Sequence, residues 1–251
     1  MRQMRQSIKK RLIFNSMKAP HITFQYEIER DIENIRIGLD LVRKGRKPEA
    51  TLASIIQQRG DDPSMEDLEE YLTTHWAGKE ESRDKIIGEL QESWSAIETT
   101  YFSVLAEKMQ LKSFSDIETI PAYLSTRRGC GYGYGEKPWF AVSALNGVSG
   151  NILTTMHEVM HIFFHRQWWE FCKEQGVPDK NIWDIKEALT ILLNFWFKDQ
   201  LTQVDTGKEE HTNLRKKIER WYTDDQDFVS ILKNACDYMK LHGKESPTWI
   251  R

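Results

Sequence analysis

From Gly150 to Trp169 most positions are apolar, and His157-Glu158-Val159-Met160-His161 sits in the middle of that run. A segment of this length, apolar on most faces, reads as a buried helix. This setting is what constrains the fold. Two imidazoles and a carboxylate inside a buried helix are costly unless something satisfies them. Four-residue spacing brings His157 and His161 onto neighbouring positions of one helix face, close enough to grip one metal ion. Glu158 is then held beside the metal's open position, where it can take a proton from a bound water. The plainer alternative is a pair of core histidines bonded to backbone or side chains. Ser149 or Asn151 is placed to cap the start of this helix, and Gly176 and Pro178 supply a stop.

A catalytic zinc needs one more protein ligand and keeps a fourth position for water. His165 continues the four-residue ladder, but on a straight helix it lies about 12 Å along the axis from His157. No glycine follows His161 to break the helix, so the HExxHxxGxxH spacing is absent. The better candidate is Glu187, a carboxylate in a second, strongly apolar helix that includes Ile182, Trp183, Ile185, Leu189 and Leu192. Two antiparallel helices joined by a compact turn at Gly176 to Asp179 can bring it beside the first. Asp184, one turn earlier, is the rival. It also suits an outer role, accepting a hydrogen bond from a ligating imidazole, or that of a carboxylate favoured at a helix N-terminus.

His157-Glu158-x-x-His161 followed by Glu187 on a later helix resembles the gluzincins, the thermolysin-like zinc metallopeptidases. The resemblance rests on those residues and their helical settings, about a fifth of the chain. It implies zinc held by His157, His161 and Glu187, with Glu158 as general base in attack on a peptide carbonyl. It also implies a His or Tyr beyond the third ligand that stabilises the oxyanion. His211, Arg215, Tyr222 and Tyr238 are available, and Tyr222 and His211 are the choices taken.

In zincin-like proteins a sheet lies beside the metal helix, and its edge strand can pair with extended substrate. Pro138 to Leu145 is rich in strand-favouring residues, and Asn146-Gly147 is a turn signal. Upstream, glycine alternates with Cys130, Tyr132 and Tyr134, which on a strand would leave a bare face for another backbone. That stretch reads equally as a substrate-facing strand or a tucked hairpin, and Tyr132 and Tyr134 are further oxyanion candidates. Ile120-Pro121 marks a break before the sheet.

Three segments follow: a basic stretch 1–26, a helical region 27–110, and a zincin-like catalytic region 111–251, the last two readable as one continuous domain. The basic stretch, with Arg2, Arg5, Lys9, Lys10, Arg11 and Lys18, reads as a solvated, partly disordered tail. A net charge of −3 and the lack of a basic stripe argue against nucleic-acid binding. No uninterrupted apolar run is long enough for a membrane span. Three dispersed cysteines give no disulfide framework, and with no secretory apolar region they point to a cytoplasmic setting.

The expected protein is therefore α+β, mostly helical and zincin-like, with a small sheet beside the metal helix. It is a zinc-dependent hydrolase acting on a peptide or protein substrate. The competing reading is a metal-stabilised or metal-sensing interaction protein without turnover. A His₂Glu set also accepts other ions such as Fe or Mn.

Overall fold

The computed structural model describes residues 18–114 and 117–243. Most of the basic stretch, residues 1–17, lies outside them. The described residues form two compact units, one from residues 18–21, 96–114, 117–119 and 159–243, the other from residues 22–95 and 120–158. Neither is a continuous stretch of sequence.

The second unit carries the sheet. Strands β1 (His21–Gln25), β2 (Thr119–Ser125), β3 (Tyr132–Gly133) and β4 (Trp139–Ser143) form a four-stranded sheet in the order β1-β2-β4-β3. β2 and β4 are parallel, with Ala122 opposite Phe140, whereas β3 is antiparallel to β4. The chain therefore leaves β2, crosses to the far side to make β3, and returns to insert β4 between them. Two expectations are corrected here. β1 falls inside the stretch read as a solvated tail, because Ile22 and Phe24 alternate with polar residues and bury one face. Ile120-Pro121 is not a break but part of β2. Pro121 is tolerated because the register with β4 begins one residue later, so its missing N–H leaves no gap in that ladder.

This unit also holds α1 (Ile28–Arg43), α2 (Ala50–Arg59), α3 (Met65–Trp76), α4 (Glu80–Ser95) and the first half of a later helix, residues 148–158. α1 buries Asp31, Ile32, Asn34, Ile35, Gly38 and Leu39, the three- and four-residue steps of one helix face. Its Ile32, Ile35 and Leu39 pack with Leu52, Ile55, Leu68 and Leu72 of α2 and α3. α3 starts at Ser64, whose hydroxyl and Asp67 form a reciprocal capping box.

The polar side of α1 secures the crossover between β2 and β3. Asp31 accepts from Ser125 Oγ at 2.6 Å and from the Thr126 N–H at 3.1 Å. Asn34 donates to Gly129 O at 2.9 Å and accepts from the Gly131 N–H at 2.9 Å. Arg127, buried, donates to Glu49 Oε1 at 2.7 Å and to Asn34 O at 2.7 Å. A Cβ on Gly38 would lie 2.5 Å from Arg127 Nε, and one on Gly129 would lie 2.3 Å from the guanidinium. The guanidinium therefore lies between two residues that must lack side chains. Within the glycine-rich stretch, Gly129 thus makes room for a side chain of its own chain. Gly133 likewise faces Trp139, whose Nε1 a Cβ would meet at 2.6 Å.

The first unit is helical. It contains α5 (Glu98–Lys108), the second half of α6 (Val148–Gln167), α7 (Trp169–Glu174), α8 (Asp179–Leu189), α9 (Leu193–Trp196), α10 (Thr212–Thr223) and α11 (Phe228–His242). Single 3₁₀ turns at Thr190–Leu192 and Glu209–His211 interrupt the series. Its core is aromatic: Phe102, Phe114 and Phe163 meet edge to face, and Tyr101 packs on Phe197. No described helix is long and apolar enough to cross a membrane.

Candidate metal centre

β4 runs through the Asn146-Gly147 turn straight into α6, and Asn151 fixes that junction. Its Oδ1 accepts from the Ser143 N–H at 3.0 Å and its Nδ2 donates to Ser143 O at 2.9 Å. Asn151 therefore works one turn inside a helix that begins at Val148, and not as its cap. The helix also ends earlier than expected, at Gln167. A bend at Trp168, whose indole donates to Met109 O at 3.1 Å, separates it from α7, and Gly176 follows with φ of +78°.

α6 is continuous through the HExxH sequence and carries both histidines one turn apart. α8 carries Glu187. The ligand atoms of His157, His161 and Glu187 lie within 4.8 Å of one another, with His161 buried and the other two half-buried. Glu187 Oε1 is 3.4 Å from His161 Nε2. Ligand atoms ~2.0–2.2 Å from a tetrahedral zinc stand roughly 3.4 Å apart, so this pair has the span of two zinc ligands. Two imidazoles with one carboxylate are also a donor set that zinc takes in hydrolytic sites. Glu158, between the histidines, is buried. Burial, and after it the Glu158 carboxylate, push the Cys130 thiol up.

Burial alone would raise the Glu187 carboxyl. The Lys186 ammonium, then His161 and Lys208, outweigh burial and hold it well below the usual carboxylate range. Lys186 Nζ is 2.8 Å from Oε1, and Lys208 Nζ is 3.5 Å from Oε2. Lys208 is delivered by a loop that Arg215 clamps: its guanidinium donates to Asp205 O at 2.6 Å, to Asp205 Oδ1 at 2.8 Å and to Thr190 Oγ1 at 2.9 Å.

The other candidates fall elsewhere. Asp184 is buried and not among the clustered ligands; its Oδ1 is 3.2 Å from His211 Nε2. His211 thus pairs with a carboxylate on α8, one turn from Glu187. Tyr222 packs its ring on Phe195, centroids 5.0 Å apart. Tyr238 stacks near His242 and beneath Lys217. His165 lies between Trp169 and Trp183, and burial, aided by Lys186, pushes it down to about 3, so it is neutral at pH 7. Sequence reasoning passed over Lys186 and Lys208. A lysine inside an apolar helix, directly before the proposed ligand, was the available signal for the first.

No protein-family model, curated protein or solved structure matches this chain.

Proposed function

We propose that His157, His161 and Glu187 hold a zinc ion and that the protein is a metallohydrolase of zincin-like design, acting on peptide bonds. The observation that carries this reading is the convergence of three ligand atoms within 4.8 Å, from two helices well separated in sequence. Zinc bound there would supply an acidified water and polarise the substrate carbonyl. Glu158, one position after the first ligand on the same helix, would be placed to accept a proton from such a water and pass it to the leaving amine. Glu187 supplies a ligand that is already ionised at neutral pH, so no proton need leave it on metal binding.

Three measurements on purified protein test this. Wild type should bind one zinc, and His161→Ala and Glu187→Ala should each lose most of that affinity. Wild type should cleave members of a mixed peptide library, and Glu158→Gln should keep its zinc while kcat falls by roughly 10²–10⁴. Zinc binding without turnover in wild type would favour the metal-stabilised interaction protein. No zinc after reconstitution would sink the metal reading altogether.

A further inference from the structure

Lys186 is fully buried. Its Nζ lies 2.8 Å from Glu187 Oε1 and 4.6 Å from the centre of the Trp183 ring. Its side chain is 0% exposed, that of Glu187 15%. An ammonium so placed is tolerable only with a close counter-charge, and its counter-charge here is the carboxylate that a metal would use. The same Oε1 faces His161 Nε2. One oxygen is therefore shared between an internal cation and the ligand set.

We propose that Lys186 is a resident cation that stands in for the metal's charge at Glu187 when no metal is bound, and competes with the metal for that oxygen. The proposal rests on the reading of His157, His161 and Glu187 as ligands. It gives Lys186 a positioning role exerted through Glu187, with two opposite consequences. The metal-free site keeps its carboxylate aimed at His161, because the buried oxygen has its partner. Metal binding is weakened, because an incoming cation meets a positive charge at the same oxygen in a poorly screened interior. Lys208 cannot do this to the same degree: it is 43% exposed, and water screens it.

The test is zinc affinity, measured by competition with a chromophoric chelator, on wild type, Lys186→Met and Lys186→Arg, together with thermal melts of each metal-free protein. Lys186→Met should bind zinc about tenfold tighter or more, while its metal-free form melts lower than wild type. Lys186→Arg, which keeps the charge, should stay near wild type in both. A lysine with only a structural role would weaken both properties together. A folded Lys186→Met that binds zinc no tighter than wild type overturns the proposal. If Lys186→Met does not fold without metal, zinc should fold it; failure to fold with zinc also overturns it. The ligand reading fails separately: wild-type affinity would then be absent, or unchanged by Glu187→Gln, whatever Lys186 does.

Discussion

Gly38→Ala and Gly88→Ala should change stability in opposite directions. Both glycines lie inside helices, α1 and α4, where replacing glycine by alanine gains up to about 1 kcal/mol of intrinsic helix propensity. Gly88 is exposed, and a Cβ there meets nothing within 4 Å, so its variant should realise ~0.5–1 kcal/mol. At Gly38 a Cβ would stand 2.5 Å from Arg127 Nε, 2.6 Å from Cζ and 2.8 Å from Leu52 Cδ1. The guanidinium cannot swing aside freely, since Glu49 and Asn34 hold it on one side and Gly129 bounds it on the other. Overpacking of this kind costs about 1–3 kcal/mol. Breaking a buried ion pair costs about 3–5 kcal/mol, which is discounted here because Glu49 is 23% exposed. Set against the propensity gain, Gly38→Ala should lose about 2 kcal/mol net, leaving the two variants roughly 3 kcal/mol apart. Urea unfolding followed by circular dichroism, compared at unchanged m, measures both. A Gly38→Ala protein as stable as wild type, or stabilised like Gly88→Ala, would refute the claim that Arg127 is held in a slot only glycine permits.

Two further outcomes are expected. Burial raises the Asp31 carboxyl to about 6, despite its hydrogen bonds from Ser125 and Thr126. The folded state therefore holds a proton that the unfolded state has lost, and this group's contribution to stability falls as pH rises from about 4 through 6. Relative to Asp31→Asn, wild type should gain about 2 kcal/mol between pH 7 and pH 4; a difference that does not move with pH would contradict this. Asn151→Ala should leave the buried N–H and C=O of Ser143 without their partners, costing about 2–4 kcal/mol and lowering zinc affinity by loosening α6 against β4; unchanged unfolding and zinc titrations would count against it.

Much of the candidate site was legible because it is local. The four-residue step from His157 to His161 is a property of any α-helix, and the apolar run around it made that helix a safe expectation. Glu187 was legible for a different reason: a carboxylate in an apolar helix needs a cation, wherever the helix is placed. The same reasoning applied to Lys186 would have found the other half of the pair. Helix ends were less legible. Asn151 looks like a cap, and only the tertiary partner Ser143 shows that its amide ties a strand to a helix. Pro121 and β1 failed as readings because strand pairing is non-local. A strand of five residues with a basic segment before it is recognised by its neighbours in the sheet and not by its own composition.

By itself, then, the sequence determined which residues are chemically costly to bury and which of them share a helix face, since periodicity and charge are written residue by residue. Tertiary structure decided which of those residues meet. It brought Glu187 to His161 and left Asp184 to His211. It set Tyr222 against Phe195, and put a buried lysine on the oxygen a metal would claim. Those pairings depend on how α8 and the turn before α10 pack, a matter of distances across the fold that no local pattern encodes.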